Sequence, residues 1–166
     1  MTEKIPINGL KLSEPLVAVR SCSASREPDV MGLLCDLFAR HHINMAYMTA
    51  AGGADALLCC ICAEDQDVAA AHVAASAVLK SRVAFGEAVG LLTFYPHHAD
   101  LSLLGKALQI LSNRHIGILG WASSIAALTL VIDFEQLEAA AESLLEQFQL
   151  PLNAAPLRAD FKVRQT

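Results

Sequence analysis

The sequence predicts an α+β fold made of two tandem units, each an antiparallel sheet with two helices on one face. A stretch that occurs twice leads to this prediction, because residues 30–45 and 103–118 align with one offset of 73, seen at Gly32 and Gly105. Each copy reads as an amphipathic helix that ends in His-Ile and leads into a short apolar strand. The order strand–helix–strand–strand–helix–strand then follows twice, which is the split βαβ arrangement.

The first unit is predicted to span residues 1–86. After a lead-in strand, a β-branched run at 16–22 predicts the first core strand. Asp29 is placed as the N-cap of a helix whose apolar positions 30, 33, 34, 37 and 38 form one stripe, and the helix is expected to end at two histidines. Strands at 43–50 and 54–62 flank a Gly-Gly turn. A helix to about residue 81, with positions 68, 71, 75, 78 and 79 inward, and a short strand at 82–85 complete the unit.

The second unit is predicted to span residues 87–166 and to repeat this order. Strands are expected at 88–95, 116–122 and 126–133, and helices at 101–115 and after residue 133. The hairpin turn is two residues shorter than in the first unit, so the offset falls to 71 beyond it, as for Ala56 and Ala127. A last strand at 157–163 is expected to complete either unit.

Composition excludes several classes of function. Hydrophobic residues make up 54% of the 166 residues and the formal net charge is −5, with no basic cluster. We therefore expect no nucleic-acid binding. No apolar run reaches the length of a membrane span, and the N-terminus lacks the hydrophobic core of a signal peptide, so a cytoplasmic protein without membrane association is expected.

The cysteines and histidines do not form a recognisable reactive or metal-binding motif. Five cysteines, three of them in Cys59-Cys60-Ile61-Cys62, lack the spacing of a disulfide framework or a zinc ribbon, which favours buried thiols. The histidines come from helix ends and a loop, which the fold separates. The prediction is therefore no catalytic residue, no metal and no cofactor.

With this order of elements, the chain resembles a tandem ACT-domain protein and is similar to the regulatory tail of aspartate kinases. Three segments carry the resemblance: His42-Ile43-Asn44-Met45 and His115-Ile116-Gly117-Ile118 at the start of a strand, and Trp121-Ala122-Ser123-Ser124 before the next one. The sequence departs from the family pattern in having Pro28-Asp29 where Pro-Gly is favoured. The second loop has Pro96-His97-His98 instead.

The resemblance implies ferredoxin-like, ACT-like units and a regulatory module, not an enzyme, that binds an amino acid at a domain or subunit interface. A loop leading into a helix N-terminus suits the ligand carboxylate, because backbone N–H groups are free there. Ten positions follow as candidate ligand-binding residues: Arg26, Asp29, Val30, Met31, Asn44, Met45, Ser102, Ile118, Ser123 and Ser124. A purely structural role remains open for several of them, as an N-cap for Asp29 and a turn for the two serines.

Two other functions and two protein partners remain to be considered from the sequence. The main alternative to ligand binding is a structural or partner-docking module of the same fold without a small-molecule ligand. A small enzyme is not supported, because no convergent acid–base groups are evident. Strands that are apolar on both faces, such as 16–19 and 56–62, predict a homodimer, with packing of the two units as the competing explanation. An enzyme to be regulated is expected to be a separate chain.

Overall fold

The computed structural model describes residues 4–21, 30–50, 57–95, 101–154 and 157, and shows a mixed α/β fold in which antiparallel strands predominate. The predicted combination of antiparallel strands and helices is confirmed. The strands of this part of the chain are β1 Ile5–Pro6, β2 Gly9–Leu12, β3 Leu16–Ser21, β4 Met45–Ala50, β5 Leu57–Cys62, β6 Val83–Tyr95, β7 Ile118–Ser123, β8 Leu128–Asp133 and β9 Phe148–Gln149. Its helices are α1 Val30–Arg40, α2 Gln66–Ala75, α3 Leu101–Asn113 and α4 Leu137–Leu145.

The described chain divides into two compact units. Residues 15–88 form one, and residues 4–14 together with 89–154 and 157 form the other. The predicted division placed the N-terminal lead-in in the earlier unit, whereas the structure pairs it with the later one. The reason is strand pairing, since Gly9–Leu12 runs antiparallel to β6 with Leu10 opposite Phe94, and β1 runs parallel to β9.

The unit at 15–88 is a sheet in the order β4-β5-β3-β6, with helices against one face. Cys59 and Ile61 of β5 point into the helix-facing core, where they pack with Val19, Phe38 and Val73. Both β3 and β4 are antiparallel to β5. The side chain of Phe38 is fully buried, so α1 is anchored to the sheet by the burial of apolar surface.

The unit at 89–154 has a corresponding order, β7-β8-β6 with β2 paired to β6. Leu128, Leu130 and Ile132 of β8 point into its core, where Phe94 and Phe148 meet edge to face with ring centroids 5.5 Å apart. A β-bulge lies between Ile118 and Gly120, 73 positions after the bulge between Met45 and Tyr47 in the other unit. The predicted repeat therefore extends to a local irregularity of the backbone.

Each repeated His-Ile pair forms the C-cap of a helix. His42 and His115 have positive φ angles of 54° and 58°, the left-handed conformation that usually belongs to Gly at this position. The N–H of Ile43 donates to the carbonyl of Phe38 at 2.9 Å, and Ile116 donates to Leu111 at the same distance. This is the Schellman motif, in which the following apolar residue packs back onto the helix. The predicted helix ends at the histidines are confirmed.

Two predicted elements differ in the structure. The helix expected to reach residue 81 ends at Ala75, because Ser76 is extended and its Oγ accepts a hydrogen bond from the N–H of Leu79. Ala69, Val73 and Leu79 are buried, whereas Val68 and Val78, predicted inward, are exposed. The strands predicted at 82–85 and 88–95 are one continuous strand, β6, so Gly86 does not interrupt it.

The apolar strands are buried on both faces. Cys59 and Ile61 point towards the helices, and Leu58 and Cys60, on the opposite face of β5, are buried as well. Ala18 on β3, which lies opposite Cys60, shares this burial. The continuous apolar runs are therefore shielded within one chain, so they no longer by themselves require a second copy.

Candidate functional site

The ligand-binding positions predicted in the unit at 15–88 lie at both ends of α1. Arg26 and Asp29 fall outside the described residues. Val30 and Met31 form the first turn of α1, and Asn44 and Met45 follow its C-cap. Eleven helical residues span about 16 Å. Within this unit, therefore, the structure does not bring Asn44 to the start of the helix.

The strand after the cap runs back beside α1. The thiol of Cys35, in the middle of the helix, lies 3.9 Å from the thioether sulfur of Met48 in β4. Because a strand rises about 3.3 Å per residue, the end of β4 returns to the level of the first helical turn. The residues that share an end with Val30 and Met31 are therefore Thr49 and Ala50, which the sequence analysis did not select.

In the unit at 89–154 the predicted positions divide in the same way. Ser102 lies in the first turn of α3 and is exposed, and Ile118 begins β7 after the C-cap and packs on the edge of the core. Ser123 ends β7. Ser124 closes the turn, since its N–H donates to the carbonyl of Ala127 at 2.8 Å and its Oγ accepts from the N–H of Ala127 at 3.1 Å. These bonds give Ser124 a structural role.

The first turns of α1 and α3 suit a negatively charged group. Neither turn contains an acidic side chain among residues 30–33 and 101–104. The first N–H groups of a helix lack intrahelical partners, and the helix dipole places partial positive charge there. A carboxylate at either position would meet donors and no like charge on the helix itself.

Exposed apolar side chains lie on the first turn of α1 and on the terminal strands β4 and β7. Met31 and Met48 are 42% and 44% exposed in one unit, and Trp121 on β7 is 50% exposed in the other. Met48 and Trp121 are equivalent positions, 73 residues apart. β4 and β7 each end the strand order of the described residues, so both offer an edge for further pairing.

A concave site of a different kind lies between the C-terminal end of α3 and α4. The cavity measures about 390 Å³, and its polar lining includes Arg114, Glu135, Glu142 and Glu146. Nη2 of Arg114 donates to both carboxylate oxygens of Glu146, at 2.7 and 2.8 Å. None of the eight predicted positions that the structure describes lines this cavity. The sequence signal that points to it is the i,i+4 spacing of Glu142 and Glu146 on one helix face.

The thiols of β5 are protected from ionisation. Burial raises the pKa of Cys59 and of Cys60 to about 12, and burial also raises the pKa of Cys62. A thiolate is the reactive form of cysteine, so Cys59 and Cys60 are unsuited to nucleophilic or metal-binding roles. Among the residues that the structure describes, no three His, Cys, Asp or Glu side chains are grouped to hold a metal ion. Within the same ranges, no helix is long and apolar enough to span a membrane.

Comparison with solved structures gives the class of fold. The regulatory subunit of aspartate kinase from Thermus thermophilus, in its ligand-free form, superposes with a TM-score of 0.75 at 14% identity, over 87% of this chain and 99% of that one. The aspartokinase α and β subunits give a TM-score of 0.75 at 13% identity, over 85% and 97%. Escherichia coli aspartokinase III, in complex with lysine and aspartate, gives 0.61 at 13% identity, over 88% of this chain and 34% of that one.

The chain therefore has the fold of aspartate kinase regulatory subunits, which confirms the resemblance read from the sequence. At these identities the likeness establishes the fold alone. No protein-family model matches the chain, and no curated protein sequence matches it.

Proposed function

We propose that this chain is a non-catalytic regulatory module that binds a free amino acid. One observation supports this most strongly: the likeness extends over 99% of the Thermus regulatory subunit but only 34% of E. coli aspartokinase III. The likeness thus covers a whole regulatory subunit but only part of the longer kinase. The aspartokinase III structure contains lysine and aspartate, and a ligand of this class fits the chemistry of the helix ends described above.

The first turns of the two helices are the proposed carboxylate sites. In the unit at 15–88 the N–H groups of Val30 and Met31 would receive the carboxylate, with Asp29 for the ammonium group and Arg26 as a further charged contact. In the unit at 89–154 Ser102 lies 73 positions after Asp29, and Ser123 ends β7 as Ala50 ends β4. Met31 and Met48 offer apolar surface for a ligand side chain.

The position of Asn44 affects which residues can form one ligand site together. It lies one helix length from Val30 in its own unit, so one ligand cannot contact both within that unit. A site that uses Asn44, Met45 or Ile118 together with a helix N-terminus needs residues from outside the unit. An interface site, in a homodimer formed through the edges of β4 or β7, would supply such residues and is part of the proposal. Two tandem ACT-like units, an enzyme on a separate chain and a cytoplasmic location belong to the same proposal.

The experiment is a thermal-shift screen of the full chain against the proteinogenic amino acids at millimolar concentration. A ligand at about 100 times its Kd stabilises a protein by about 2.7 kcal/mol, which raises the Tm by several degrees in a chain of this size. Ser102→Ala and Asn44→Ala would reduce the shift if their units bind. Leu152→Ser serves as the control, because this side chain is fully exposed and is none of the proposed ligand contacts. An unchanged Tm with every amino acid would contradict the proposal.

A docking module without a small-molecule ligand is the second candidate. It is favoured by Ser124, whose hydrogen bonds to Ala127 use it in the turn. The exposed Trp121 on an edge strand also favours it, since aromatic residues are common at protein interfaces. An unchanged Tm with all amino acids, together with a change of mass on adding a partner chain, would select this candidate.

A further inference from the structure

The two units join their helices by different chemistry at equivalent positions. In the unit at 89–154 the end of α3 is tied to α4 by the ion pair of Arg114 and Glu146. In the unit at 15–88 the position of Arg114 is taken by His41, 73 residues earlier. The ring of His41 stacks on His72 of α2, with centroids 3.4 Å apart and planes inclined by 15°. We call this stack of His41 on His72 the histidine joint.

The equivalence extends to the second helix. The offset of 71 that holds after the hairpin relates His72 to Ser143 and Ala75 to Glu146. In the histidine joint, therefore, an imidazole replaces the serine and an alanine replaces the carboxylate that binds the arginine. An Arg–Glu pair keeps its charges from about pH 5 upward, whereas two imidazoles change charge between about pH 5 and 8.

The surroundings of the histidine joint are cationic. On its own element His41 lies between Arg40 and His42, and α2 contributes His72. The neighbouring carboxylate Asp36 is paired with Arg40. Of the other charged groups nearby in sequence, Asp67 lies in the first turn of α2, at the other end from His72, and Lys80 in the short turn 79–81 adds a further positive charge.

These neighbours determine whether acid raises or lowers the stability of the histidine joint. Packing against surrounding atoms lowers the pKa of His41 from its ordinary value of 6.5, and the nearby His72, Arg40 and His42 lower it further. The unfolded chain then binds more protons than the folded chain at pH values below 6.5. Stability contributed by the neutral stack is therefore present above pH 6.5 and is lost as the pH falls below it.

We propose that the histidine joint is an acid-sensitive contact, which loosens α1 from α2 on acidification while the Arg114–Glu146 joint stays closed. With a proton on both rings, the stack would hold two cations face to face. Since α1 carries Val30 and Met31 at its other end, loosening would act on the helix that the proposed ligand site uses. The joint itself stands on the His41–His72 geometry and is independent of the proposed function.

The test follows the full chain between pH 5.5 and 7.5 by NMR of the imidazole carbons and by hydrogen exchange corrected for the intrinsic rate. We expect His41 to titrate below its ordinary pKa of 6.5. Protection of the amides at 38–43 should fall by about two- to five-fold at the acid end, the range of a weak surface charge interaction. Amides at 111–116, which lie 73 positions after 38–43, should keep their protection.

Two variants make the test decisive. His72→Gln removes one of the groups that lower the pKa of His41, so the titration of His41 should move to higher pH and the acid loss of protection at 38–43 should become smaller. The combination of His41→Arg, His72→Ser and Ala75→Glu copies the other joint and, because it also removes His41, should abolish the pH dependence. The proposal is overturned if His41 titrates identically in the wild type and in His72→Gln, or if residues 38–43 and 111–116 respond equally to acid.

Discussion

Gly90 lies on β6 where the strand passes under α4. A Cβ at this position would come within 2.4 Å of Cδ2 and 3.1 Å of Cγ of Leu137, a fully buried side chain. Because the core around Leu137 is closely packed, we expect Gly90→Ala to lower the free energy of unfolding by about 1–3 kcal/mol. Urea denaturation monitored by circular dichroism measures this change.

Gly105 is the matched control for Gly90. It is exposed in the middle of α3, and nothing lies within 4 Å of a Cβ built on it. Gly105→Ala should therefore raise the free energy of unfolding by about 1 kcal/mol, the difference in helix propensity between the two residues. Equal effects of the two substitutions would contradict the close approach of β6 and α4.

Asn44 and Asp29 separate a ligand role from a structural role. If they contact the ligand, alanine at either position should weaken binding by about 1–3 kcal/mol, the loss expected when a polar ligand group is left unpaired. Asp29→Ala should also lower stability by about 1 kcal/mol through loss of the N-cap. Calorimetric titration of both variants measures the first effect. An Asp29 variant that is less stable but binds normally would assign that residue to structure alone.

At the scale of elements, the C-caps of α1 and α3 carry backbone strain. His115 holds a φ of 58° without the freedom of glycine, and the bond from Ile116 to Leu111 fixes that conformation. His115→Gly should raise the free energy of unfolding by about 0.5–1 kcal/mol, because glycine adopts this region at no steric cost. His115→Ala, with a Cβ and no ring, should give no such gain in thermal denaturation. A stabilising alanine would argue against the strained cap.

The repeat was predictable because it rests on local signals. The His-Ile pairs mark helix ends, and Schellman motifs fix the backbone there. Residues that are 73 positions apart in the sequence therefore take equivalent places in the two units. In α2 the same reasoning failed. Five of its ten residues are alanine, so small apolar side chains surround the helix and the predicted stripe was wrong: Ala69 and Val73 are buried, whereas Val68 and Ala71 are exposed.

Other features depend on long-range pairing, which a single sequence does not reveal. The lead-in at 9–12 is near the first core strand in sequence, yet it pairs with β6 more than eighty residues away. The joint of His41 and His72 likewise joins two helices that are separate in sequence. The candidate site was predictable as positions at helix and strand starts. Their division between the two ends of α1 follows only from the path of the chain in space.

At the scale of the whole molecule, a homodimer remains a prediction. Burial of the apolar strands within one chain removes one argument for it, while the exposed Met48 and Trp121 on edge strands support it. Light scattering after size exclusion should give roughly twice the 17.7 kDa of the chain. Met48→Lys or Trp121→Lys should reduce the mass, because a charge opposes edge pairing, whereas Leu152→Ser, at a fully exposed position that belongs to neither strand, should not. A wild-type mass near 17.7 kDa at micromolar concentration would contradict the dimer.

Isothermal titration calorimetry of the full chain with individual amino acids tests the central claim most directly. The proposal predicts that at least one amino acid binds at micromolar to millimolar Kd, with a stoichiometry that the Asn44→Ala and Ser102→Ala variants reduce or abolish. The helix-end chemistry also predicts that the amide derivative of that amino acid, which lacks the carboxylate, binds more weakly. Absence of heat with every amino acid at millimolar concentration, from a chain that circular dichroism shows to be folded, would contradict the account.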